Sequence, residues 1–388
     1  MVIWQSMRQT SHFSLRAVMA ALAVTVGAAV AAPSDDFASL KAHWSFDEGR
    51  DWHNMPYPCQ TEISRATDLV GGAGDLNIVV TDGRGGYTKT SMELYDSRHV
   101  VAQPVREFRY FGPLPEFTPG AGKKQKHRNP MAINMGGARP DLLLQADSRL
   151  WFCINESKRG KILFSEPQVL KTTAGAEFET DGAAVIEDNK LVVRRPDGSL
   201  VQAYVVGEDV PQLEIGAPVK DTTGAAFKLP SRHFALVDYD NDGAPDLVAG
   251  FNDGLYYYKG LATTYTVDSG QKKIRHISFA PEKQLVIKRS YNIAPGVGDL
   301  NHDGRTELLH GINRGTLHVW MNDAAKPTVK DGEYIELTLE NQPDAKFMRN
   351  LNGAHVTVAD FDGDGCADMV LGGNDGTLPV SALGVTPG

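Results

Sequence analysis

Asp238-Tyr239-Asp240-Asn241-Asp242-Gly243-Ala244-Pro245-Asp246 has the form D-x-D-x-D-G-x-x-D, and the chain uses that form three times. Asp299-Leu300-Asn301-His302-Asp303-Gly304-Arg305-Thr306-Glu307 is the second copy and Asp360-Phe361-Asp362-Gly363-Asp364-Gly365-Cys366-Ala367-Asp368 the third. Each starts 61 residues after the one before it (299 − 238 = 61, 360 − 299 = 61). The register continues downstream through Gly250, Gly311 and Gly372, then Asn252, Asn313 and Asn374, then Gly254, Gly315 and Gly376. A constant period of this length marks a structural repeat.

The chemistry of the nonapeptide points to Ca²⁺. Oxygens at positions 1, 3, 5 and 9 can converge on one hard cation with a backbone carbonyl at position 7, and Gly at position 6 allows the sharp turn. The expected ligands are Asp238, Asp240, Asp242 and Asp246, then Asp299, Asn301, Asp303 and Glu307, then Asp360, Asp362, Asp364 and Asp368, about one ion per copy. An EF-hand would carry Glu at position 12, where this chain has Ala249, His310 and Leu371. The flanks alternate as strands, Phe234–Val237 before the first loop and Leu247–Ala249 after it. The expectation is a calcium loop inside a β-hairpin.

Residues 1–31 read as a signal peptide. Arg8 and Arg16 precede an apolar run from Ala17 to Val30, too short to span a membrane, and Ala29-Val30-Ala31 fits a small-residue cleavage site. The expected mature chain, 32–388, is exported, has no membrane span and forms a single domain. Its formal charge falls from −9 to about −11 on loss of the two arginines, which disfavours nucleic acid as a partner. Three cysteines are too few for a disulfide scaffold.

Stepping back 61 residues from Asp238 reaches Glu177-Phe178-Glu179-Thr180-Asp181-Gly182, which keeps the acidic core but has Val185 at position 9. We read 177–185 as a degenerate copy. Strand-turn-strand patterns without the calcium ligands precede it at Asp141–Phe152 and Asp75–Tyr87. Six units are recognisable, starting near residues 68, 133, 177, 238, 299 and 360, each long enough for four short strands. Four-stranded sheets repeated about an axis make an all-β propeller, here of six or seven blades. The last unit is one strand short, and the alternating segment Leu40–Phe46 is expected to supply it, closing the ring and hiding sheet edges.

The segments Leu236–Gly250, Val297–Gly311 and Val358–Gly372 resemble FG-GAP/VCBS repeats, over roughly 177–380. That resemblance implies an integrin-α-like, calcium-binding β-propeller, usually of seven blades. It implies little about activity, because the same fold serves adhesion proteins, lectins, lyases and structural repeats.

A ligand-binding mouth is expected where each inner strand begins, five and six residues before each loop. Those positions hold Arg232 and His233, Ala354 and His355, Lys171 and Thr172, and His127 and Arg128; Tyr291 and Asn292 precede the corresponding place in the remaining unit. Cations clustered at a concave mouth would attract an anion such as a uronate. Aromatic rings also stack on sugars. Tyr256-Tyr257-Tyr258 and Trp320, however, fall on repeat strands and are expected to pack between blades, whereas Asp51–Cys59 lies outside the repeat. Two function classes follow. One is a binding or adhesion module for a glycan, possibly anionic, or for an extracellular protein. The alternative is a polysaccharide lyase, with His233 or Tyr291 as base and Arg232 neutralising the uronate during β-elimination. The loop carboxylates are committed to calcium, which favours the binding module.

Overall fold

The computed structural model describes residues 130–135, 139–157, 163–187, 189–207, 210–251, 253–267, 273–287, 295–300, 303–312 and 316–322. It also describes strands at 39–41, 44–46, 60–63, 77–83, 92–96, 106–113, 335–340, 355–359, 368–373 and 376–382. Every regular element among these residues is a strand, and no helix is long and apolar enough to cross a membrane.

The strands group in chain order into small antiparallel sheets. Met131–Ile133, Asp141–Ala146, Arg149–Cys153 and Gln168–Val169 form one; Gly182–Glu187, Lys190–Arg194, Leu200–Val206 and Gln212–Pro218 form the next. His233–Val237, Asp246–Phe251, Gly254–Gly260 and Phe279–Ile287 follow, with the hairpin Thr264–Val267/Lys273–His276 inserted before the last strand. Gly296–Gly298, Glu307–Ile312, Thr316–Trp320 and Ile335–Glu340 repeat the pattern, and His355–Ala359, Asp368–Gly373 and Gly376–Ala382 begin it again. At the other end of the chain, Gln60–Ile63, Asn77–Gly83, Met92–Asp96 and Arg106–Pro113 pair in the same order.

The first strands of these groups stand side by side. Met131–Ile133 neighbours Gly182–Glu187, which neighbours His233–Val237, then Gly296–Gly298, then His355–Ala359, which lies against Gln60–Ile63 from the opposite end of the sequence. The result is a propeller-like ring of small sheets. Close approach at its centre requires glycine: a Cβ on Gly298 would sit 2.4 Å from Val358 Cβ, and one on Gly182 only 2.9 Å from the Arg232 carbonyl.

The sheets at 182–218 and 233–287 are buried on both faces, so alternate residues serve different neighbours. Leu191 and Val193 join Leu143 and Phe152 in one apolar layer, while Val192 between them joins Phe234, Leu247 and Tyr258 in the next. The tyrosine triplet divides as its alternation predicts. Tyr256 and Tyr258 face back toward Val192, whereas Tyr257 faces forward to Leu308 and Trp320. Burial on both faces explains why Leu142–Leu144 and Leu191–Val193 are continuous apolar runs.

Two sequence expectations are corrected here. Leu40–Phe46 is not one strand. Ser39–Lys41 pairs antiparallel with Gly376–Ala382 and parallel with Ile335–Glu340, whereas Trp44–Phe46 runs parallel to Arg106–Pro113. Alternation specifies a strand but not which open edge it joins. Glu177–Asp181 is not a loop within a hairpin either: it precedes the first strand of its sheet, whereas the strand-turn-strand read at Val185-Ile186, Glu187-Asp188-Asn189 and Leu191–Val193 is the hairpin of Gly182–Glu187 with Lys190–Arg194. The acid-x-acid-x-acid-Gly pattern survived the register count, but the hairpin it should close begins only at its last residue.

Candidate functional site

The loop 238–245 links the first two strands of the 233–287 sheet. Its reversal uses left-handed backbone at Asn241 (φ 56°) and Gly243 (φ 84°); Gly304, at the matching place in the second copy, has φ 81°. Inside the turn the Asp238 carboxylate accepts the N–H groups of Asp242 (3.0 Å) and Gly243 (2.8 Å), and Asp242 accepts that of Ala244 (2.8 Å). The second copy repeats this, with Asp299 accepting from Gly304 (2.9 Å) and Asp303 from Arg305 (2.8 Å).

Position 9 anchors the hairpin from beneath. Asp246 is fully buried and accepts the N–H of Tyr239 (3.0 Å) from the loop and of Gly260 (2.6 Å) from the third strand. Burial pushes its carboxyl up to about 6, against those hydrogen bonds and the nearby Lys259 charge. Glu307 does the same for Leu300 (2.7 Å) and Asn322 (3.5 Å), and burial pushes it up to about 8. Asp141 accepts from Met135 (3.1 Å) and Asn155 (2.7 Å) in a sheet that lacks the acidic nonapeptide. Position 9 is therefore a backbone anchor in its own right. The acid opening Asp141-Leu-Leu-Leu, Asp246-Leu-Val-Ala and Glu307-Leu-Leu-His was the available signal for it.

Three carboxylates converge above this anchor. Asp238, Asp240 and Asp246 each offer an oxygen, and these oxygens lie within 4.8 Å of one another, a grouping that could hold a metal ion. Among the described residues, Asp240 Oδ1 is buried with no hydrogen-bond partner, and so is Asp299 Oδ1 in the second copy. A buried carboxylate oxygen without a donor is costly unless a cation completes it. The donor set is all oxygen, which suits Ca²⁺. Lys259, which the sequence reading did not single out, reaches the same place. Its Nζ lies 2.5 Å from Asp240, 2.6 Å from Asp242 and 3.6 Å from Asp246. Burial alone would lower the ammonium's pKa, but the hydrogen bonds to Asp240 and Asp242 outweigh it and raise it. The first two loops are neighbours: Asn241 donates to the Gly304 carbonyl (3.4 Å) and Asn322 to that of Tyr239 (2.5 Å). Asn301, Asp360, Asp362 and Asp364 lie outside the described residues; Asp368 opens its strand in register with Ala359, as Asp246 does with Val237.

Of the residues expected to line a mouth, Arg232 and His233 sit at the other end of their inner strand from the acidic loop, some 16 Å away for a five-residue strand. Arg232 is 53 % exposed and pairs through Nε with Asp181 (3.1 Å), which also holds the buried Arg194. Arg194 in turn donates to the Leu229 (2.6 Å) and Pro230 (3.3 Å) carbonyls, so the cluster ties two adjacent sheets together. Ser231-Arg232-His233 matches Thr180-Asp181-Gly182: Ser231 and Thr180 bond equivalent carbonyls, of His233 and Gly250 in one sheet and of Gly182 and Arg194 in the other. The residue equivalent to Arg232 is thus Asp181, and Lys171 does not belong to the set. Lys171 is exposed at the head of the turn Lys171–Phe178, whose counterpart is Lys220–Phe227. This second repeated motif, with left-handed Gly175 and Gly224, was readable from the paired threonines and glycines but carried no metal chemistry to draw notice. Glu177 meets Arg149 (2.8 Å). His355 begins an inner strand as His233 does, in register with Gly372 as His233 is with Gly250. His127, Arg128, Tyr291 and Asn292 lie outside the described residues, as does the His355 side chain.

Repeated carboxylate loops on a ring of small antiparallel sheets define a β-propeller built from acidic hairpin repeats. Residues 299–371, which hold the second and third acidic loops, match the family described as FG-GAP-like repeat. A T-cell immunomodulatory protein homolog of Plasmodium yoelii yoelii is 25 % identical over 160 residues, 39 % of this chain. The matched region spans 22 % of that relative's length. Among solved structures, Sqt1 of Saccharomyces cerevisiae has 11 % identity and a TM-score of 0.43, covering 88 % of this chain and 99 % of its own. An Agrocybe aegerita lectin that recognises non-reducing terminal N-acetylglucosamine has 15 % identity and a TM-score of 0.42, with 84 % and 81 % covered.

Proposed function

We propose that this chain is an exported, calcium-stabilised binding module, whose hairpin loops hold Ca²⁺ at one end of the ring while the opposite end receives a glycan or an extracellular protein. The observation that carries the calcium reading is a buried oxygen on both Asp240 and Asp299 with no partner among the described residues, each within a turn whose backbone N–H groups the loop carboxylates already accept. Asp238, Asp240, Asp242 and Asp246 would hold one ion, Asp299, Asn301, Asp303 and Glu307 a second, and Asp360, Asp362, Asp364 and Asp368 a third. The ion's role is to cross-link the turn and resist its opening.

The binding end is supported by placement. Arg232 presents a half-exposed guanidinium where the inner strands begin, and among the described residues Asp181 is its only ion-pair partner. An anionic sugar is the ligand class this charge favours. The β-elimination alternative asks the same guanidinium to neutralise a uronate and adds His233 or Tyr291 as a base, so it demands more of this end than binding does, and binding remains the better reading. The finer architecture proposed is a six-bladed ring, closed where Ser39–Lys41 adds to the last blade.

A thermal melt of the mature protein with Ca²⁺ and with a chelator, repeated across acidic and neutral glycans, tests both parts by mass action. Calcium should raise Tm, and one glycan class should raise it further with loss of that shift in Arg232→Gln. A chelator without effect would remove the calcium reading. A calcium-dependent melt that no glycan moves would leave a protein as the partner.

A further inference from the structure

The first loop differs from its sisters in a residue outside the nonapeptide. On the third strand, the residue beside position 9 is Lys259 in the first unit, where Leu247 pairs with Tyr258; Met321 in the second, where Leu308 pairs with Trp320; and Ser381 in the third, where it pairs with Asp368 itself. Only the first unit places a cation there, and its ammonium touches Asp240 and Asp242 and stands 3.6 Å from Asp246, three of the four loop carboxylates. Four carboxylates and the Lys259 ammonium leave −3 in the first loop, and three carboxylates with Arg305 leave −2 in the second. The third, with four carboxylates and Ser381, carries −4. The extra acid at Asp240 is offset by Lys259.

We propose that Lys259 is the resident cation of the 238–246 loop: it closes that hairpin without metal and makes it the weakest of the three calcium sites. The inference rests on the calcium reading above. A divalent ion entering this loop must draw on oxygens that Lys259 already holds, and must either meet its charge at close range or drive the side chain into solvent. Both lower affinity. The second and third loops therefore fill first as calcium rises. In chelator the first hairpin stays closed while the others lose their bridging ion.

The test is calorimetric titration of Ca²⁺ into the mature chain as wild type, Lys259→Met and Lys259→Gln. Asp240→Asn in each background assigns the first loop, and Asp299→Asn the second. Removing the ammonium should tighten the Asp240-dependent event by roughly tenfold or more, or create it where the wild type has none. The Asp299-dependent event should not move. Lys259→Gln guards against a folding defect in Lys259→Met, and the chelator melt adds a second readout: either variant should lose more Tm in chelator than the wild type does. Calcium binding that depends on Asp299 but ignores Lys259 overturns this inference and leaves the calcium reading standing. No calcium binding in the wild type or in either Lys259 variant overturns both.

Discussion

His310→Leu is expected to stabilise the protein, and more so in mild acid. His310 sits on Glu307–Ile312 with 0 % exposure, directly across from His318, ring centroids 6.5 Å apart. Neither His310 ring nitrogen has a hydrogen-bond partner among the described residues. A neutral imidazole carries one donor and one acceptor, and leaving such groups buried and unmet costs about 1–3 kcal/mol each. Losing the edge-on contact with His318 returns about 1 kcal/mol. The net gain should be about 1–5 kcal/mol at pH 7. Leucine is the residue the chain itself uses 61 positions on, at Leu371. Burial, with a smaller contribution from His318, pushes His310 down to about 3 from an ordinary 6.5. A depressed folded value means that the unfolded chain binds the proton first, so stability is lost as pH falls from 6.5 toward 3. At about 1.4 kcal/mol per pH unit, the wild type loses about 2 kcal/mol by pH 5 through this group, and the variant does not. Urea denaturation in saturating Ca²⁺ at pH 7 and pH 5 measures both quantities. A variant less stable than wild type at pH 7, or a gap no wider at pH 5, would refute the reasoning.

Glu307 runs the opposite way. Its folded value is raised to about 8 from 4.5, so in chelator its contribution is complete below pH 4.5 and is lost as pH climbs through 8. Melts across that range should fall with pH in chelator, flatten with Ca²⁺, and lose the slope in Glu307→Gln. Asp181→Ala strands the buried Arg194 and should cost about 3 kcal/mol by urea denaturation, since a lone buried charge is far dearer than a missing pair; a loss under about 1 kcal/mol would show that the carbonyls of Leu229 and Pro230 suffice. Deleting residues 33–47 removes both N-terminal strands and should lower Tm, whereas an unchanged melt would deny them any part in closing the ring.

The sequence by itself determined the repeat, the all-β architecture and the location of the acidic hairpins. Each is written in local terms. A 61-residue period needs no tertiary contact to be seen, and neither do the alternation that divides Tyr257 from Tyr256 and Tyr258 or the glycine at the left-handed turn. Tertiary structure alone decided which charges meet. Lys259 reaches Asp240 because the third strand of a hairpin folds back beside its loop, and Arg232 meets Asp181 because neighbouring sheets pack inner strand to inner strand. It also moved Glu177–Asp181 out of the loop class and split Leu40–Phe46 between two sheets. Spacing along a chain fixes a residue's face and phase, but a charge's partner depends on which strand edge lies alongside, and that is settled only when the sheets pack.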